Sequence, residues 1–157
     1  ELEVPANEIA AALESFESLG GEGYARMTIQ NVNGIRILND CYNANPSSMK
    51  IALDTLSAYN SEGKKYAILG DMRELGEHSV REHIEILEYA AERSDHVLVT
   101  GKDMISANAS LNLSKVQAFK TKEELASFIK ENSTTKDFLL LKGSRGMKME
   151  EVLSLIK

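Results

Sequence analysis

Apolar positions along the chain alternate between two periods. Ile9, Ala12, Leu13 and Phe16 recur at helical spacing behind Pro5, whose fixed φ suits a first helical turn, until Gly20-Gly21 break the pattern. This predicts a lead-in amphipathic helix over residues 1–20. Met27-Thr28-Ile29-Gln30 and Ile35-Arg36-Ile37-Leu38 then flank Asn33-Gly34, the dipeptide that best tolerates the positive φ angles of a tight hairpin. An antiparallel pair therefore opens the sheet.

Strand and helix periods follow in turn. A helix from Pro46 to about Tyr59 carries Met49, Ala52, Leu53 and Leu56 on one stripe. Short apolar runs at Tyr66-Ala67-Ile68-Leu69, Val97-Leu98-Val99, Val116-Gln117-Ala118-Phe119 and Phe138-Leu139-Leu140-Leu141 read as buried strands. Between them lie helical patterns from Val80 to Arg93, near Met104, and from Thr121 to Asn132, where Thr121 and Glu124 form a capping box. A last helix is predicted from Met147 to Ile156. Alternating strands and helices imply right-handed crossovers. The fold class is α/β: a Rossmann-like three-layer domain with a mostly parallel sheet, an antiparallel N-terminal strand and helices on both faces.

Composition narrows the class. The 157 residues are 43% hydrophobic and 27% charged, the balance of a chain that packs a core, and one domain accommodates them. With 18 basic against 24 acidic residues the net charge is −6, and no Lys/Arg run offers a footprint for nucleic acid. Cys41 is the single cysteine, which rules out an internal disulfide and fits a reducing compartment. No apolar run approaches the ~20 residues of a membrane span. A cytoplasmic domain is expected, and the start at Glu1 with a polar opening segment suggests a piece of a longer polypeptide.

In an open α/β sheet, ligands bind beyond the carboxyl ends of the strands. Three loops there carry chemistry. Asp40-Cys41-Tyr42-Asn43-Ala44-Asn45-Pro46 brings a carboxylate, a phenol and two amides to a helix N-terminus, suited to a ribose, a base edge or an anion; capping by Asp40 and Asn45 is the structural alternative. Gly70-Asp71-Met72-Arg73-Glu74-Leu75-Gly76-Glu77 collects Asp71, Glu74 and Glu77, either a cation site or a solvated acidic loop. Lys142-Gly143-Ser144-Arg145-Gly146 sets two cations around small residues ahead of a helix, a combination that binds carboxylate or phosphate, with plain surface solubility as the alternative.

What is missing constrains the reading as well. Gly63-Lys64 and Gly101-Lys102 lack the remainder of a Walker A loop, and no G-x-G-x-x-G follows a strand. His78, His83 and His96 lack metal-ligand spacing, with His78 and His83 expected on a helix surface. Cys41 has no base beside it and is expected to be a buried structural thiol. No metal site is expected.

At these loops the sequence resembles the Mur ligases, among them the members that add D-alanyl-D-alanine. Their third domain has a signature close to aspartate-serine-tyrosine-asparagine-alanine-asparagine-proline, matched at residues 40–46 with Cys41 in place of the serine. The runs Leu69 to Glu77 and Leu141 to Met147 resemble two further signatures in the same order. The resemblance implies a three-domain enzyme in which an N-terminal domain binds a UDP-muramoyl tripeptide and a central domain holds the Walker A loop and Mg²⁺. ATP then activates the tripeptide carboxylate as an acyl phosphate, which the amine of D-alanyl-D-alanine attacks. By position, the resemblance assigns Arg26 and Asp40 to the phosphates and ribose of ATP and Tyr42, Asn43 and Asn45 to the adenine and hinge side. Lys142, Ser144 and Arg145 are assigned to the incoming dipeptide. It implies no catalytic residue in this domain alone and no activity for it in isolation. Two other readings stay open: a folylpolyglutamate-synthase-like ligase domain, against which Asn43-Ala44-Asn45 argues, and a non-catalytic ligand-binding module.

Overall fold

The structure, a computed structural model, describes residues 26–111 and 113–157. The lead-in helix expected over residues 1–20 lies outside the described residues. The elements run β1 (Thr28–Val32), β2 (Ile35–Asp40), α1 (Pro46–Ala58), β3 (Lys65–Leu69), α2 (Ser79–Arg93), β4 (His96–Thr100), α3 (Lys102–Ser110), β5 (Val116–Phe119), α4 (Lys122–Asn132), β6 (Phe138–Lys142) and α5 (Glu151–Ile156). Asn33 and Gly34 turn the hairpin with φ of 51° and 84°, the paired left-handed geometry that matches the twist of the strands it joins. Val32 faces Ile35 across it, and the β1–β2 pair is antiparallel as expected.

The sheet order is β1-β2-β6-β3-β4-β5, parallel at every pairing except β1–β2. After β2 the chain steps outward through β3, β4 and β5, then returns to insert β6 between β2 and β3. Right-handed crossovers in one direction place their helices on one face, and the reversed crossover places its helix on the other. The core divides accordingly. Leu38, Leu69, Val99 and Leu140 pack with Met49 and Leu53 of α1, Leu87 of α2 and Met104 of α3. Ile37, Ile68, Leu98 and Leu139, the alternate positions, pack with Leu125 and Ile129 of α4 and Val152 of α5. Each such buried side chain contributes about 1.5–3 kcal/mol of transfer free energy.

Local chemistry sets the helix starts. Thr121 accepts the Glu124 amide while the Glu124 carboxylate receives the Thr121 amide, the capping box read from sequence. The last helix is a correction. Instead of running from Met147, the chain makes a 3-10 turn over Arg145–Met147, passes Lys148 at φ 48° and begins α5 only at Glu151. A left-handed residue interrupts the α-helical hydrogen-bond ladder, and Met149 is thereby buried in the α4–α5 core.

Candidate functional site

The three loops singled out in the sequence follow β2, β3 and β6, which are neighbours in the sheet with β6 in the middle. Residues far apart in the chain therefore meet at one edge. Asp40 and Lys142, the last residues of β2 and β6, lie opposite each other in parallel register. Their side chains meet as an ion pair, with Lys142 Nζ 2.5 Å from Asp40 Oδ2 and its second donor bond, 2.8 Å long, to the Asn43 carbonyl. The Lys142 side chain is 1% exposed and that of Asp40 10%. A cation so removed from water persists only when paired and hydrogen-bonded. The Met27 amide donates to the other oxygen, Asp40 Oδ1, at 3.2 Å, and Met27, expected in the first strand, instead adopts φ 48°.

This pair floors a hollow of about 320 Å³. Arg26, Tyr42, Asn43 and Asn45 stand around it, with the Arg26 guanidinium 3.9 Å from the centre of the Tyr42 ring. All five residues assigned to ATP by the resemblance are thus brought together. So is Lys142, which had been assigned to the dipeptide. Exposed Ile51 of α1 adds an apolar rim. Asn45 also serves as the structural alternative held: its Oδ1 accepts the Ser48 amide at 2.8 Å, making it the N-cap of α1, while Pro46 fills the first helical position.

A second hollow of about 550 Å³ lies across the 42–45 segment, lined by Ser144, Arg145, Arg73 and Glu74. Ser144 is nearly buried, and its Oγ accepts the Arg73 amide at 2.8 Å. Arg145 is exposed and pairs with Glu150 at 2.7 Å. Arg73 and Glu74 escaped the residue-by-residue assignment; the signal was Arg73 inside the second motif. The Arg73 guanidinium lies over Gly146, where a Cβ would sit 3.0 Å from Arg73 Cζ, so glycine here lets the guanidinium lie close against the loop backbone. Volume alone does not select these hollows, since a groove between β1 and α5 also measures about 550 Å³. Position at the carboxyl ends of the central strands does.

Other candidates resolve structurally. Asp71 turns inward and its Oδ1 accepts the Met104 amide at 2.9 Å, capping the first turn of α3, so the acidic trio of the second loop does not converge. Among the described residues no group of three or more His, Cys, Asp or Glu is placed to share a metal ion. Cys41 is buried with its thiol 3.5 Å from the Leu141 carbonyl, and burial, reinforced by the charges of Glu150 and Asp40, pushes its pKa well above the usual thiol range. It stays protonated at neutral pH. His83, expected on the helix surface, is instead fully buried. Both its ring nitrogens have backbone partners, which is why burial is tolerated.

The family model for "Mur ligase, glutamate ligase domain" matches residues 25–145, an interval that contains the first hollow and all of the second but Gly146. The chain belongs to the Mur ligase family. Among its relatives, the UDP-N-acetylmuramoyl-tripeptide--D-alanyl-D-alanine ligase of Bacillus subtilis is 35% identical over 147 residues, covering 90% of this chain and 32% of the relative. The MurF ligase of Thermotoga maritima, solved in complex with ADP, superimposes with a TM-score of 0.74 at 28% identity, over 90% of this chain and 31% of that one. A MurF structure from Acinetobacter baumannii matches with the same TM-score at 31% identity, covering 98% of this chain and 34% of its own. This Mur ligase domain thus spans about a third of the length of the proteins it matches. Among its described residues no helix is long and apolar enough to cross a membrane.

Proposed function

We propose that this chain is the third, C-terminal domain of the ATP-dependent ligase that joins D-alanyl-D-alanine to a UDP-N-acetylmuramoyl tripeptide in peptidoglycan precursor synthesis, acting in the cytoplasm. The observation that carries the reading is the convergence of three ordered motif loops on two hollows that share the 42–45 wall. The names of the relatives supply the reaction, and their identity favours it over a folylpolyglutamate-synthase-like domain. In this reading the first hollow faces ATP. Arg26 offers a cation to the phosphates and Asp40 an acceptor to the ribose, with Tyr42, Asn43 and Asn45 lining the base side. Lys142 holds the Asp40 carboxylate in place from beneath. The second hollow faces D-alanyl-D-alanine, where Ser144 shapes the loop and Arg145 draws the terminal carboxylate.

The donor set of the first hollow contains one carboxylate, and Lys142 already engages it. Mg²⁺ is accordingly assigned mainly to a central domain of the same polypeptide, together with the Walker A loop that this sequence lacks. An N-terminal domain would hold the UDP substrate. Closure of this domain onto the other two would complete both sites and exclude water.

An NMR titration tests the assignment. Millimolar Mg-ATP should move amides of residues 40–48, and D-alanyl-D-alanine those of residues 73–74 and 142–146. Shifts from either ligand that cluster outside the two hollows would refute it. The chain alone should hydrolyse ATP negligibly in the presence of both other substrates, and turnover at an ordinary enzymatic rate would remove the need for partner domains.

A further inference from the structure

Histidine 83 lies on α2, outside both hollows, yet its hydrogen bonds lead to one of them. Its Nδ1 sits 2.7 Å from the Ser79 carbonyl, an acceptor only, so Nδ1 carries the proton. The neutral ring then presents the Nε2 lone pair, and the Met72 amide donates to it at 3.0 Å. Ser79 continues the chain, its Oγ donating to Asp103 Oδ2 at 3.2 Å in the first turn of α3. The loop after β3 is thus tethered at three amides: Gly70 to the Lys142 carbonyl at 2.8 Å, Met72 to His83, and Arg73 to Ser144 Oγ at 2.8 Å. In return the Ser144 amide donates to the Asp71 carbonyl at 3.0 Å. The tethers on Gly70 and Arg73 come from the end of β6 and the loop that follows it. The one on Met72 comes from a side chain anchored in a different layer.

We infer that His83 is a positioning residue that aims Arg73 into the second hollow by fixing the backbone one residue before it. The inference rests on the reading of that hollow as the dipeptide side. A histidine is suited to the place because it alone among neutral side chains offers a donor and an acceptor on opposite sides of a rigid ring that fits a fully buried slot. Without the Nε2 acceptor the buried Met72 amide would lose its partner, and the loop would shift to find another. Arg73 over Gly146 would move with it. His83 makes no hydrogen bond to any residue lining the hollow facing ATP, which should be unaffected.

Three substitutions separate this role from general packing. His83→Gln places its carbonyl where Nε2 stood and keeps an acceptor for Met72. His83→Asn reaches only the Nδ1 position, and His83→Leu removes both bonds. By amide hydrogen exchange on this chain, Met72 and Arg73 should exchange about tenfold faster or more in the Asn and Leu variants, while Ile86 and Leu87 of α2 hold their rates and Gln restores the loop. Equal acceleration of Ile86 and Leu87, or unchanged Met72 in the Asn variant, overturns the inference. In the parent ligase, His83→Asn should raise KM for D-alanyl-D-alanine about tenfold with KM for ATP within about twofold, and His83→Gln should recover it. Parallel changes in both KM values overturn the positioning role. A parent enzyme that ignores the dipeptide while the exchange pattern holds refutes instead the assignment of the hollow.

Discussion

At the scale of single residues, the feature with the most energy at stake is Lys142. Its ammonium is enclosed between the Asp40 carboxylate and the Asn43 carbonyl, and with 1% of its side chain exposed it has almost no water to fall back on. Replacing Lys142 by the similarly long but apolar Met leaves a nearly buried carboxylate without its cation, which should destabilise the domain by about 3–5 kcal/mol. Urea unfolding checks this. The double variant Lys142→Met with Asp40→Leu should recover most of the loss, because it removes both charges together. A loss below about 1 kcal/mol for the single variant would mean that water or another group screens Asp40. The same contact explains how a residue read as a substrate ligand stands under the first hollow: lysine was legible as a cation in a loop, but its partner is set by β2–β6 register.

At the scale of elements, caps and turns were the most legible features and irregular helix ends the least. Asn45 is both a candidate ligand and the N-cap of α1, two roles that different substitutions separate. Asn45→Ala should cost about 1 kcal/mol, as Thr121→Ala should at α4, whereas Asn45→Asp keeps a capping oxygen and most of that stability. Thermal or urea unfolding of the three variants checks the cap. If Asn45→Ala left stability unchanged, Asn45 would be free to serve the ligand alone. The break between Met147 and α5 was invisible in the periodicity because Met147, Val152, Leu153 and Ile156 keep roughly helical spacing across it. What interrupts the helix is Lys148 in a left-handed conformation, a state its side chain does not announce.

At the scale of the whole molecule, β6 has all five residues buried and neighbours on both edges, while β5 closes the sheet with two exposed residues out of four. Opening free energies should therefore range across the sheet. Amide exchange of Leu139, Leu140 and Leu141 should track global unfolding, and that of Gln117 and Ala118 should be faster by orders of magnitude. Equal protection of the two strands would show that the sheet opens only as a unit. Because β6 also supplies Lys142 and leads into Ser144, the strand buried along its whole length carries the centre of the candidate site.

The sequence by itself determined the element types, the Asn33-Gly34 hairpin, the α/β class and the three loops at which chemistry gathers, because period, turn residues and caps act over a few neighbouring positions. It also determined, through the order of the motifs, the resemblance that the family match upheld. Only the tertiary structure decided that β6 inserts between β2 and β3, and with it that Asp40 meets Lys142, that Ser144 holds the Arg73 backbone, and that His83 is enclosed rather than exposed. Those outcomes depend on strand order and register, which bring together residues as many as 102 positions apart, a separation that no local pattern encodes.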